Sequence, residues 1–108
     1  MSKITLSGLN GQFDFDVYEA GASIDSVPGV FALSRREIQS GKGLNVVLTM
    51  GESKDMRAAI AKVADHPVLA EHGFNAICVL PVSDETKRVS IFEELAMRRD
   101  LPCGVIRD

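Results

Sequence analysis

The sequence is poor in residues that build covalent or metal-held frameworks. It has two cysteines, one tyrosine and no tryptophan among 108 residues. The cysteines do not form a Cys-x-x-Cys motif, so they indicate neither a zinc site nor a disulfide framework. Cys78 lies inside an apolar run, which predicts a buried thiol, and Cys103 lies near the C-terminus.

Long apolar runs are also missing. The longest are about six residues, whereas a membrane-spanning helix needs about 20. Residues 1–3 lead directly into alternating apolar and polar positions, without the apolar core of a signal peptide. We therefore expect a cytoplasmic protein that does not cross a membrane.

The chain has no excess of basic residues. Its 12 Lys and Arg and 15 Asp and Glu give a net charge of −3. A nucleic-acid binder needs clustered cations to contact phosphates. The basic doublets at 35–36, 87–88 and 98–99 are spread along the chain, and each is typical of a solvated face. Nucleic-acid binding stays open only through such local groups.

The residues that are present predict one globular domain over 1–108, since 45% are hydrophobic and 25% are charged. Residues 1–20 predict an N-terminal β-hairpin, because Phe13, Phe15 and Val17 alternate with polar residues after a turn at 8–11. The alternation gives Asp14 and Asp16 a structural place on the second face of the hairpin, and a metal site there lacks a third ligand.

The rest of the chain predicts three more strands and two helices. Residues 34–43 show no sustained period and predict an exposed hairpin loop. Ser53 is predicted as the N-cap of a helix over about 54–64, and residues 83–85 open a helix that ends near Asp100. Pro67 ends or restarts the first helix. The predicted strands are 4–6, 13–18, 29–33, 46–50 and 76–80. This order predicts an α/β fold, with a small central sheet, an N-terminal hairpin and helices packed on the sheet.

Several segments, in this order and at this spacing, resemble the GIY-YIG nuclease superfamily. The chain resembles the small stand-alone members that carry a hairpin before the first motif, with a core over residues 27–104. The segments that carry the resemblance are VPGVF at 27–31, LTMGES at 48–53, HGFNAICV at 72–79, KRVSI at 87–91 and LPCG at 101–104.

The resemblance also implies where the catalytic groups of the family would stand. The family uses two tyrosines to activate water, an arginine to stabilise the transition state and a glutamate to hold a divalent metal. These fall, in that order, on Phe31, Thr49, Ala59 and Phe92. None of the four carries the required group, and a benzyl side chain offers a hard cation no ligand. The resemblance therefore implies a pseudo-enzyme without a metal or other cofactor.

Two function classes remain, and an active nuclease is a distant third. The first is a protein-interaction or regulatory module whose old cleft has become an apolar surface lined by Phe31, Thr49 and Phe92. The second is a non-cleaving nucleic-acid binder. The third is a metal-dependent endonuclease with a rearranged site built on Arg57 or Glu93, although Arg57 points about 200° around its helix from Ala59. The candidate binding residues are Phe31, Thr49, Lys54, Arg57, Arg35 and Arg36. The sequence leaves the partner and the oligomeric state open.

Overall fold

The computed structural model describes residues 2–97 and 99–107, so Arg98 of the 98–99 doublet lies outside the described residues. The fold is α/β, as the sequence predicts. In chain order the elements are β1 Ser2–Ser7, β2 Gln12–Glu19, β3 Gly29–Gln39, β4 Lys42–Ser53, α1 Met56–Val63, α2 Pro67–Glu71, β5 Ala76–Pro81, α3 Glu85–Ala96 and β6 Val105–Arg107. None of these helices is long and apolar enough to span a membrane.

The strands form one sheet in the order β1-β2-β5-β3-β4-β6. Neighbours are antiparallel except β4 and β6, which are parallel. Strand β3 is one of the inner strands of this arrangement, since β5 and β4 pair with its two edges. Side chains of β3 therefore alternate between two covered faces.

Each face of the sheet carries its own core. Phe31 and Leu33 point to the face covered by α1 and α2, called the α1 face below. Val30 and Ala32 point to the opposite face, which packs against Phe92 and its neighbours on α3 and is called the α3 face. These four residues of β3, at positions 30–33, are completely buried. Burial on both faces explains why the strand is an uninterrupted apolar run.

The N-terminal hairpin forms as predicted. Ile4 on β1 lies opposite Phe15 on β2, and Phe15 is completely buried. The Oγ1 hydroxyl of Thr5 donates to Asp14 Oδ1 at 2.6 Å, and Lys3 Nζ lies 3.7 Å from Asp16 Oδ1. Both aspartates thus have partners on β1, which supports the structural interpretation of their alternation.

The prediction of an exposed loop at 34–43 is wrong. Strands β3 and β4 continue to a two-residue turn at Ser40 and Gly41, whose φ angles of 52° and 78° match a type I′ turn. Strand β5 begins opposite Ser34, so the hairpin extends past it as a two-stranded arm, defined here as residues 35–47. The arm lacks apolar alternation because it extends beyond the covered sheet.

Two helix ends and one strand differ from the predictions. Helix α1 is capped by Asp55, not Ser53: the Asp55 carboxylate accepts from Ala58 N at 3.1 Å, while Ser53 is the last residue of β4. A hydrogen bond from Ser26 to the carboxylate, together with the cap, lowers the pKa of Asp55. Helix α3 ends at Ala96, earlier than predicted, and β6 was not predicted. Helix α2 begins at Pro67, as one of the two predicted outcomes for this residue. Proline is common in the first turn of a helix because its missing N–H is not needed there.

Phe92 provides the test of the α3-face core. Its side chain is 3% exposed, so Phe92→Ala should reduce the free energy of unfolding by about 3–5 kcal/mol. Denaturant unfolding followed by circular dichroism measures this loss. Leu9→Ala, at a side chain that is 72% exposed, is the matched control and should change little. Equal stabilities of the two variants would contradict the packing described here.

Candidate functional site

Phe31, which the resemblance would place at the first motif, is held in place by a close contact with Gly51. A Cβ atom on Gly51 would lie 2.5 Å from Cζ of Phe31 and 2.7 Å from the carbonyl oxygen of Ile106. Only glycine leaves room for the ring and for β6 to pass. Gly51 therefore has a packing role, and the ring of Phe31 occupies the space over it.

Thr49, at the second motif position, is 1% exposed. Its hydroxyl donates to the carbonyl oxygen of Gly104 at 2.6 Å, and Cys103 N donates to Leu48 O at 2.9 Å. These two bonds attach the segment before β6 to β4. The polar group of Thr49 is thus used in the fold, and no hydroxyl is directed toward a cleft.

The expectation of an apolar surface lined by Phe31, Thr49 and Phe92 is wrong. These side chains are 0%, 1% and 3% exposed, so a partner cannot reach them in this conformation. Ala59 is also buried and packs with Phe31 on the α1 face, whereas Phe92 packs on the α3 face. The sheet separates Phe92 from the positions on the α1 face, because alternate residues of a strand point to opposite sides.

A buried ion pair lies one residue beyond Gly51. Arg88 Nε donates to Glu52 Oε1 at 2.9 Å, and the two side chains are 4% and 7% exposed. Arg88 Nη2 also lies 3.9 Å from the exposed carboxylate of Glu85. The pair connects α3 to the end of β4 on the α3 face.

The prediction that Arg88 belongs to a solvated face is wrong, although a signal was present in the sequence. Arg88 lies four residues before Phe92, so both are on the same stripe of the helix. Glu52 lies two residues after buried Met50 and therefore points to the same side of β4. The pairing itself requires knowing which face α3 covers, which is a non-local property.

Two of the concave sites in the described part of the chain bear on binding. One is a pocket of about 280 Å³ on the α1 face, lined mainly by apolar side chains with Thr49, His66 and Cys103. Burial raises the pKa of the Cys103 thiol, which keeps it protonated and disfavours nucleophilic chemistry. His66 Nδ1 accepts from Val68 N at 3.2 Å as the N-cap of α2. The pocket is therefore suited to binding an apolar group.

The second concave site is an open groove of about 800 Å³ beneath the arm. Asn75 forms part of the wall of this groove, and its side-chain amide hydrogen-bonds to the backbone of β3. Its Oδ1 accepts from Arg36 N at 2.8 Å, and its Nδ2 donates to Arg36 O at 2.9 Å. The amide of Asn75 thus occupies the place of a strand residue beside β3.

The candidate basic residues do not form one patch. Lys54 and Arg57 are exposed at the start of α1, near the beginning of β3, since Met56 N donates to Val27 O at 3.0 Å. Arg35 and Arg36 lie on the arm, about 20 Å further along β3. Arg35 Nη1 donates to the carbonyl oxygen of His72 at 3.3 Å, so it covers the end of α2. The two groups of cations cannot contact the same few phosphates.

Comparisons with protein-family models, with curated proteins and with solved structures find no match to this chain. Within residues 2–97 and 99–107, no group of three or more His, Cys, Asp or Glu side chains is arranged to hold a metal ion.

The Glu52–Arg88 pair generates a stability prediction. Arg88→Met leaves the buried Glu52 carboxylate without its cation and should cost about 3–5 kcal/mol of unfolding free energy. The double variant Glu52→Leu, Arg88→Met removes both charges and should recover much of that loss. Glu85→Ala is the control, because this exposed carboxylate should contribute less than about 1 kcal/mol. A double variant as unstable as the sum of its single variants would show that the two side chains do not interact.

Proposed function

We propose that this chain is a catalytically inactive GIY-YIG-like domain that acts as a protein-interaction or regulatory module. One observation carries the proposal: the four positions that the resemblance assigns to catalysis hold side chains that are 0%, 1%, 5% and 3% exposed, packed into the fold. Metal-assisted hydrolysis needs an open metal position and a water next to it. Phe31 and Ala59 fill the α1 face with apolar atoms, and Phe92 does the same on the α3 face.

The distribution of charge favours a protein partner over a nucleic acid. The chain is acidic overall, and its exposed cations at Lys54 and Arg57 are far from those of the arm. The pocket beside Thr49 is bordered by Val68, which is 37% exposed, and by Leu69 beneath it. A pocket of this size fits one apolar or aromatic side chain, the usual anchor of a protein interface. A cytoplasmic location is part of the same proposal.

The proposal predicts that the purified protein will not cleave DNA. With Mg²⁺ or Mn²⁺, single-stranded, double-stranded and branched substrates should stay intact, because the described residues form no cluster of three or more His, Cys, Asp or Glu side chains that could hold the metal. Gel electrophoresis of labelled substrates measures this. Metal-dependent cleavage that disappeared in Arg57→Ala or Glu93→Ala would instead establish a rearranged nuclease site.

The pocket also predicts which surface captures a partner. Val68→Lys should place an ammonium group at the mouth of the pocket and reduce capture of a specific protein from native cell extract. Leu9→Lys introduces the same charge at an exposed site in the turn between β1 and β2 and should leave capture unchanged.

Nuclease treatment of the extract separates the two function classes. Capture that survives nuclease and is lost in Val68→Lys supports a protein partner. Capture lost on nuclease treatment, together with salt-sensitive retention on heparin, would support the nucleic-acid binder instead.

A further inference from the structure

The outer edge of β4 along the arm is an open strand edge. The type I′ turn makes Gln39 and Lys42 a hydrogen-bonded pair, and such pairs alternate with non-bonded ones along an antiparallel ladder. Leu44 and Val46 therefore point their backbone groups toward β3. Gly43, Asn45 and Val47 point theirs away from it.

The pairing of β3 on its other side confirms this alternation. The backbone of Arg36, opposite Asn45, bonds to the Asn75 side chain and not to β4. The outward N–H and C=O groups of Gly43, Asn45 and Val47 have no hydrogen-bond partner within the described part of the chain. Among the described residues, this edge is covered further on, where Cys103 bonds Leu48 and β6 pairs with β4 from Met50.

This edge lacks the features that normally prevent strand association. Edge strands are commonly protected by charged residues, proline or a covering segment. Strand β1, at the other side of the sheet, carries Lys3, and the guanidinium of Arg99 bonds Ser7 O at 3.2 Å. Between Gly43 and Val47 there is neither a charge nor a proline.

Two side chains between Gly43 and Val47 are incompletely paired or packed. Oδ1 of Asn45 is buried and lacks a hydrogen-bond partner among the described residues. Leu44 is 40% exposed, although it lies beside half-buried Val46 on the α1 face. An unpaired acceptor and an exposed leucine next to an open backbone edge indicate a surface that is incomplete in one copy.

We propose that a second copy of this chain pairs with this edge, β4 against β4, antiparallel and centred on Asn45. In this register Asn45 lies opposite its counterpart, and Gly43 lies opposite Val47 of the second copy. Each outward N–H then meets an outward C=O, because all three residues become hydrogen-bonded pairs. The two arms together form a continuous four-stranded segment, β3-β4-β4-β3.

The side chains match themselves across the two-fold axis. Leu44 of one copy lies opposite Val46 of the other, which makes one apolar cluster of four side chains on the α1 face. The two Asn45 amides meet on the α3 face, and an amide is both donor and acceptor. Rotating the side-chain amide of one Asn45 by half a turn lets its Oδ1 accept from the amide NH₂ group of Asn45 in the other copy. This self-complementarity favours a second copy over an unrelated peptide, whose side chains would have to reproduce it.

The inference does not depend on the family resemblance or on the pocket beside Thr49. It uses residues 43–47 at the outer edge of β4, whereas the pocket is lined by Thr49 further along β4, by α2 and by the segment before β6. The proposed function and the self-association can therefore fail separately.

Sedimentation at increasing protein concentration tests the dimer. The wild type should shift from monomer to dimer as the concentration rises. Leu44→Lys should weaken the dimer at least tenfold, because the ammonium group of each copy would face Val46 of the other copy. Leu9→Lys is the matched control and should associate like the wild type. Unchanged thermal midpoints show that both variants are folded. A wild type that stays monomeric at about 1 mM, or equal association of the two variants, would overturn the proposal.

Cross-linking tests the register. In a Cys103→Ser background, Asn45→Cys should be joined into a dimer by a short bifunctional maleimide, since the two thiols would face each other across the axis. Leu9→Cys in the same background should remain monomeric. A register with a different centre would leave Asn45→Cys no more cross-linked than Leu9→Cys, which contradicts the pairing proposed.

Discussion

The complete burial of β3 is the constraint on which the rest of the structure depends. Four successive residues, Val30 to Leu33, are 0% exposed because helices cover both faces and strands pair with both edges. Each fully buried side chain of this kind contributes roughly 1.5–3 kcal/mol. A strand so enclosed has no open face for chemistry. Binding must therefore use the ends of the sheet, its outer edges or the surface of the helices.

The pattern of the sequence predicts the order and type of most elements because their apolar periodicity is local. The elements that it misses depend on distant partners. Strand β6 is short and is held by bonds of Cys103 and Gly104 to β4, which no local pattern indicates. The first part of the arm, residues 35–43, forms strands because the two chain segments continue beside each other, although most of its residues are polar. Ser53 and Asp55 are both good N-caps, and the choice between them follows from how far β4 extends.

The candidate site was predictable only in part for a similar reason. Local spacing predicts that Phe92 is a core residue, and the structure confirms that its side chain is buried. Spacing cannot tell which face of the sheet a helix crosses after β5, and that face decides whether Phe92 lies beside Phe31 or behind it. The Glu52–Arg88 pair could not be predicted for the same reason, because it also depends on the face that α3 covers. Its two residues look like separate surface charges until α3 is placed over β4.

The closed α1 face and the open edge of the arm have a common physical basis. A catalytic cleft requires polar groups that are held without full packing, which commonly lowers stability. Phe31 and Ala59 instead pack with their neighbours into a continuous core on the α1 face. Beyond its own ladder, the arm is held by the bonds of Arg35 and Arg36 to His72 and Asn75 and by the packing of Val46 and Val47. Two-stranded ribbons are marginal in water, so pairing with the proposed second copy would add backbone hydrogen bonds along the outer edge of the arm.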